Sequence, residues 1–167
     1  MNLWKLVQKI FGLKPADYTD PVTMWQKQVK VIAWDFDGTI AQWRFPEGGA
    51  PMVYGFGGKT FTSVDLMRAA RAAGYKNLIH TSRVNAHWPA DIRMAPCVAM
   101  IRWLEEHDAP FDAIWGMRFK DGAWEFSNED VGKPVCCVYF DDFGFRADDV
   151  GAIQLQKIFA DAKEMKK

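Results

Sequence analysis

The segment Val29-Lys30-Val31-Ile32-Ala33-Trp34 runs straight into Asp35-Phe36-Asp37-Gly38-Thr39, and this junction constrains the fold more than any other feature of the chain. A short β-branched and apolar run without helical spacing predicts a strand buried on both faces, as in a parallel sheet. Carboxylates placed directly after it predict a polar site at the strand's C-terminal end, where open α/β sheets hold their ligands. The chain repeats this arrangement. Asn77-Leu78-Ile79-His80 predicts a second strand ending at Thr81-Ser82-Arg83, Phe111 to Trp115 a third, and Val135 to Phe140 a fourth ending at Asp141-Asp142. Between the strands the apolar spacing becomes helical: Val64, Leu66, Met67, Ala69, Ala70 and Ala73 up to a stop at Gly74. Val98, Ile101, Trp103 and Leu104 mark another helix at about 95–107. Alternating strands and helices predict an α/β fold with a mainly parallel sheet, in one domain spanning 22–167.

Several segments lie outside that alternation. Met1 to Lys14 interleaves Leu3, Leu6, Val7, Ile10, Phe11 and Leu13 with Lys5, Lys9 and Lys14, which predicts an amphipathic helix, followed by a connector at 15–21. Its expected place is against its own domain, with a partner or a membrane surface as the alternatives. Residues 41–62 are rich in glycine and aromatics and too long for a plain connector, so a functional flap or small hairpin is expected there. A hairpin is predicted at 117–127 around Asp121-Gly122, and a last helix at about 150–163. No run approaches the roughly 18–20 apolar residues of a membrane span. Cys97, Cys136 and Cys137 form no Cys-x-x-Cys pair and are expected to be reduced, in a cytoplasmic protein. The 21 basic and 21 acidic side chains cancel, which removes the electrostatic case for broad nucleic-acid binding.

Carboxylates gathered at one sheet end repel one another unless a cation compensates them, and hard oxygen ligands suit magnesium. With that charge neutralised, one carboxylate is able to attack phosphorus while another, two residues on, serves as acid and base. Gly38 permits the bend that brings the second carboxylate round and allows close backbone approach to phosphate. A hydroxyl at Thr81 or Ser82 and the ammonium of Lys133 would hold the transferring oxygens, with Lys120 as the alternative lysine. Thr39, Ser82 and Arg83 are expected around the substrate, Arg83 as a direct contact. His80, His87 and His107 include no pair at metal-ligand spacing, which sets zinc aside.

These residues resemble a known family. Asp35-Phe36-Asp37-Gly38-Thr39 is similar to the first motif of the haloacid dehalogenase-like hydrolases, Asp-x-Asp-x-Thr. Leu78-Ile79-His80-Thr81 resembles the second motif, Lys133 the lysine of the third, and Val138-Tyr139-Phe140-Asp141-Asp142 the acidic fourth, all in the family's order across 29–146. The resemblance implies a Rossmann-like three-layer domain and a covalent aspartyl-phosphate on Asp35. It implies Asp37 as acid and base, lending its backbone carbonyl to magnesium, with Asp35, Asp141 and Asp142 completing the metal site. Thr81 and Lys133 would bind phosphate. An Asp at the Asp37 position implies a phosphatase rather than a dehalogenase. Both inserts are too short for a full cap domain, which implies an open site of the kind found in relatives with large substrates, such as nucleic-acid ends; a nucleotide is the smaller phosphorylated substrate in view. The rival reading is a non-catalytic magnesium-binding module that docks a partner through its N-terminal helix. A receiver-type signalling domain would place its acidic pair on the first strand and a lone Asp on the third, opposite to the order here.

Overall fold

The computed structural model describes residues 30–56, 58–128, 130, 132–134, 136 and 138–141. The helices expected at 1–14 and 150–163, and Asp142, lie outside these residues. Within them the protein is a mixed α/β structure built on a four-stranded sheet. β1 (Val31–Trp34) is followed by a hairpin of β2 (Val53–Phe56) and β3 (Lys59–Thr62), then α1 (Ser63–Ala72) and β4 (Lys76–Ile79). A single 3-10 turn (Ser82–Val84) leads to α2 (Ala90–Glu106) and β5 (Ala113–Ile114). A second hairpin, β6 (Met117–Lys120) with β7 (Ala123–Phe126), precedes β8 (Val138–Phe140). Among the described residues no helix is long and apolar enough to cross a membrane.

The sheet order is β5-β4-β1-β8, and every pairing in it is parallel. All four residues of β1 are buried, because both faces of the sheet are covered. On one face Ile32, Trp34, Ile79 and Phe140 join residues of α1 and α2 in the main core, with Trp34 stacked on Phe140 at 4.4 Å between ring centroids. On the other, Val31, Leu78 and Ala113 form a smaller cluster against Trp115 and Cys136. The chain steps outward from β1 to β4 to β5 and then returns to the far side of β1 to make β8. In sheets of this kind ligands bind at the C-terminal strand ends beside such a reversal, here the ends of β1 and β8.

Local chemistry explains where the elements begin and end. Thr62 caps α1: its Oγ1 accepts from the Asp65 amide at 3.1 Å, while the Thr62 amide donates to Asp65 Oδ2 at 3.1 Å. Gly74, at φ +82°, ends the helix as predicted. The second helix starts at Ala90, earlier than the predicted position near 95, and Pro96 lies inside it. Pro96 forfeits an amide bond to the preceding turn, yet burial of Cys97, Met100, Ile101 and Leu104 beyond it carries the helix through. The third strand is shorter than predicted, although ladder bonds continue from the Asp112 amide to the Asn77 carbonyl and from Trp115 to Ile79, each 2.8 Å. The Asp121-Gly122 hairpin forms where expected, both residues at positive φ.

The segment at 41–62 is a pinned loop followed by a hairpin. Trp103 Nε1 donates to the Gly49 carbonyl at 2.7 Å. Gly48, at φ +84°, lies so close to α2 that an added Cβ would stand 2.9 Å from Trp103 Cδ1.

Candidate active site

Register decides which residues share that end of the sheet. Trp34 is level with Ile79 on one side and Phe140 on the other, so the next residues, Asp35, His80 and Asp141, emerge together. The His80 amide donates to the Trp34 carbonyl and the Asp35 amide to the Phe140 carbonyl, both at 2.8 Å, so the ladder holds the backbone of both residues. Asp35 is half-buried, and its Oδ1 accepts from the Phe36 amide at 2.7 Å.

After Asp35 the chain folds back on itself. The Phe36 carbonyl accepts from the amides of Ile40 and Ala41, each at 3.0 Å, and the Gly38 amide donates to the Ala41 carbonyl at 2.8 Å. Gly38 is at φ +79°, a conformation that side-chain-bearing residues rarely adopt. Thr39 is buried within the turn, its carbonyl accepting from the Tyr54 hydroxyl at 2.6 Å. Its own Oγ1 is buried with no hydrogen-bond partner among the described residues.

This turn directs Asp37 inward, and there it meets Arg83. Asp37 and Arg83 are each 5% exposed. Arg83 Nε donates to Asp37 Oδ2 at 2.7 Å and Nη2 to Oδ1 at 2.6 Å, a two-point ion pair. Nη1 donates to the Pro46 carbonyl at 2.5 Å and the Pro96 carbonyl at 2.9 Å. The sequence-based expectation for Arg83 was a substrate contact; in the structure the guanidinium points into the protein, because Asp37 and two carbonyls draw it there.

Thr81 is buried and Ser82 exposed, which separates these adjacent hydroxyls. Thr81 Oγ1 accepts from the Arg83 amide at 3.3 Å, and the hydroxyl hydrogen is left to donate elsewhere. Lys133 is exposed, with Nζ 3.8 Å from the centroid of the Tyr139 ring. The His80 ring also meets Tyr139, 6.3 Å between centroids in a T-shaped contact. Burial holds the His80 imidazole below its ordinary range and the Lys133 ammonium lowers it further, while Asp141 acts in the opposite sense. Burial, followed by the hydrogen bond with Cys136, keeps the Tyr139 phenol above its ordinary range and therefore neutral.

The structure thus brings Asp35, His80, Thr81, Lys133 and Asp141 to one end of the sheet. The sequence assigned no site role to His80 or Tyr139, though His80 carried a signal in its position directly before Thr81. Of the residues expected around magnesium, Asp37 commits its carboxylate to Arg83, and only its main-chain carbonyl is left to consider. Among the described residues no three His, Cys, Asp or Glu side chains group as a metal cage. Two carboxylates, Asp35 and Asp141, with a main-chain carbonyl still fit magnesium, which takes one or two carboxylates and keeps several waters. The aromatics of the 41–62 segment divide. Tyr54 packs against Phe140, whereas Trp43 and Phe45 are 68% and 61% exposed.

Compared with protein-family models, with curated proteins and with solved structures, the chain has no match. The family resemblance therefore rests on the sequence motifs alone.

Proposed function

We propose that this chain is a magnesium-dependent phosphomonoesterase with a Rossmann-like, capless hydrolase fold, acting in the cytoplasm through a covalent aspartyl-phosphate on Asp35. One observation carries the reading: motif residues that are far apart in the sequence, Asp35, Thr81 and Asp141, follow three neighbouring parallel strands at a single sheet end. The strand order with β1 inside and the reversal beside it supports the Rossmann-like assignment.

In the mechanism, an Asp35 carboxylate oxygen attacks phosphorus and the bond from phosphorus to the leaving oxygen breaks. Asp37 supplies the proton that the departing alkoxide takes up. Water then attacks the phosphorus of the aspartyl-phosphate, its proton passes to Asp37, and phosphate leaves with Asp35 restored. The fork of Arg83 occupies two of the roughly four lone-pair positions of the Asp37 carboxylate, so two stay open for this proton. Thr81 donates its hydroxyl hydrogen to a phosphoryl oxygen, and Lys133 neutralises another. Magnesium, held by Asp35 and Asp141 with the Asp37 carbonyl, would offset the charge between nucleophile and phosphate.

The test is phosphate release from mononucleotides, end-phosphorylated oligonucleotides, sugar phosphates and a phosphopeptide. Wild type should release phosphate only with magnesium, lose activity to EDTA and regain it when magnesium is restored. Asp35→Asn should be inactive. Full turnover by Asp35→Asn would overturn the nucleophile, and silence of wild type across the panel with magnesium still bound would leave a binding module instead.

A further inference from the structure

We infer that Arg83 is the positioning residue for Asp37: it fixes the orientation of the carboxylate that transfers the proton and ties it to the loop and helix around it. The inference rests on the phosphatase reading. An arginine that grips substrate keeps its nitrogens open to the cleft, and this one does not. All three guanidinium nitrogens donate within the protein, to Asp37, Pro46 and Pro96. The group is flanked by aromatic rings, its carbon 4.7 Å from the centroid of Phe36 and 5.2 Å from that of Phe45. Three segments distant in sequence therefore hold it: the turn after β1, the pinned loop before β2, and α2.

The geometry of the pair has a chemical consequence. A planar guanidinium that bonds both oxygens of a carboxylate fixes its rotation as well as its position, which a lysine's point charge does not do. Proton transfer to a leaving oxygen depends on hydrogen-bond reach and direction, so a fixed carboxylate is worth more than a rotating one. Arg83 also belongs to the 3-10 turn capped by Thr81, whose Oγ1 its own amide contacts. One short turn thus sets both the phosphate-binding hydroxyl and the orientation of the acid. Cys97 Sγ, 3.4 Å from the Arg83 carbonyl, fastens the turn to α2.

The experiment compares kcat/KM on two substrates that differ in leaving group, since that ratio reports the steps through leaving-group departure. An alkyl phosphate needs the proton from Asp37; dinitrophenyl phosphate does not. Arg83→Met should slow the alkyl substrate about 100-fold, in the range of general acid catalysis, and the dinitrophenyl substrate by less than about fivefold. Asp37→Asn should show the same asymmetry, and the double variant should be no slower than Asp37→Asn alone. Arg83→Lys should recover part of the loss on the alkyl substrate. An equal loss on both substrates would overturn the inference, because a substrate contact or a purely structural role moves both alike. Thermal unfolding of each variant accompanies the kinetics, and if Arg83→Met does not fold, Arg83→Lys carries the same leaving-group comparison. Wild type lacking magnesium-dependent, Asp35-dependent activity would defeat the phosphatase reading and the inference together. Activity of that kind with a symmetric loss in the Arg83 variants would defeat the inference alone.

Discussion

Asn77 is fully buried in the middle of the sheet and satisfies polar groups from four directions. Its Oδ1 accepts from Trp34 Nε1 at 2.9 Å, and Nδ2 donates to the carbonyls of Met67 and Pro110 at 3.0 and 2.6 Å. Its amide donates to Asp112 Oδ2 at 2.9 Å, and Arg71 and Lys76 pair with that carboxylate at 3.1 and 3.2 Å. Asn77→Leu keeps the volume but strands an indole N–H and two carbonyls, each a buried group that costs about 1–3 kcal/mol when left unpaired. A loss of roughly 2–4 kcal/mol is therefore expected from urea unfolding, with an unchanged m-value. At this scale the sequence is legible where chemistry is local. Asp35, Asp37 and Thr81 could be read from short motifs at strand ends. The partner of Asp37 could not, because Arg83 lies 46 positions away and an ion pair leaves no mark on spacing. Arg83 was picked out by its neighbours Thr81 and Ser82, but its direction depends on carbonyls at Pro46 and Pro96 that only the folded chain assembles.

Elements were legible to the extent that pattern and punctuation agree. β1, β4 and the Asp121-Gly122 hairpin follow from apolar runs and turn residues, and α1 from its spacing and its glycine stop. α2 begins earlier than its apolar spacing suggests, because that spacing sets in only after Pro96 while the helix already starts at Ala90. The cap of α1 offers a test at this scale. Thr62→Ala removes the side-chain half of the capping box and should cost about 1 kcal/mol near neutral pH. Asp65 is held below its ordinary value of 3.8 chiefly by the hydrogen bond from the Thr62 side chain, against a smaller opposing effect of burial, with the Thr62 amide and Arg68 adding to the lowering. A depressed carboxyl stabilises the fold above its unfolded pKa and loses that contribution as pH falls through the folded value. The difference between wild type and Thr62→Ala should therefore narrow as the pH drops below 3.8, measured by thermal unfolding across an acid series.

Across the whole molecule, the parallel sheet follows from alternation of strands and helices, but the strand order does not. Only the folded structure places β8 beside β1 and so sets Asp141 level with Asp35. A probe of global opening is available in Cys97. This thiol is buried, and burial pushes it up to about 12, against the smaller lowering effects of Arg83 and Arg93. Cys97 should therefore react with a disulfide reagent only as fast as the whole domain unfolds, while the half-buried Cys136 reacts sooner. Peptide mapping of the labelled protein over time checks the order, and early labelling of Cys97 would reveal a local opening of α2.

The two ends of the segment at 41–62 differ in what they can accept. At Gly48 even a methyl group collides with Trp103 and Phe36, so this stretch has no room to vary. At Gly58, by the turn between β2 and β3, nothing lies within 4 Å of an added Cβ, although φ +74° strains any side chain placed there. Extra chain at that hairpin tip would therefore meet open space, whereas the stretch at Gly48 is packed against α2. A lineage gaining a lid, or an engineer grafting one, would lengthen the hairpin tip there and change which molecules are admitted while the reacting groups stay where they are.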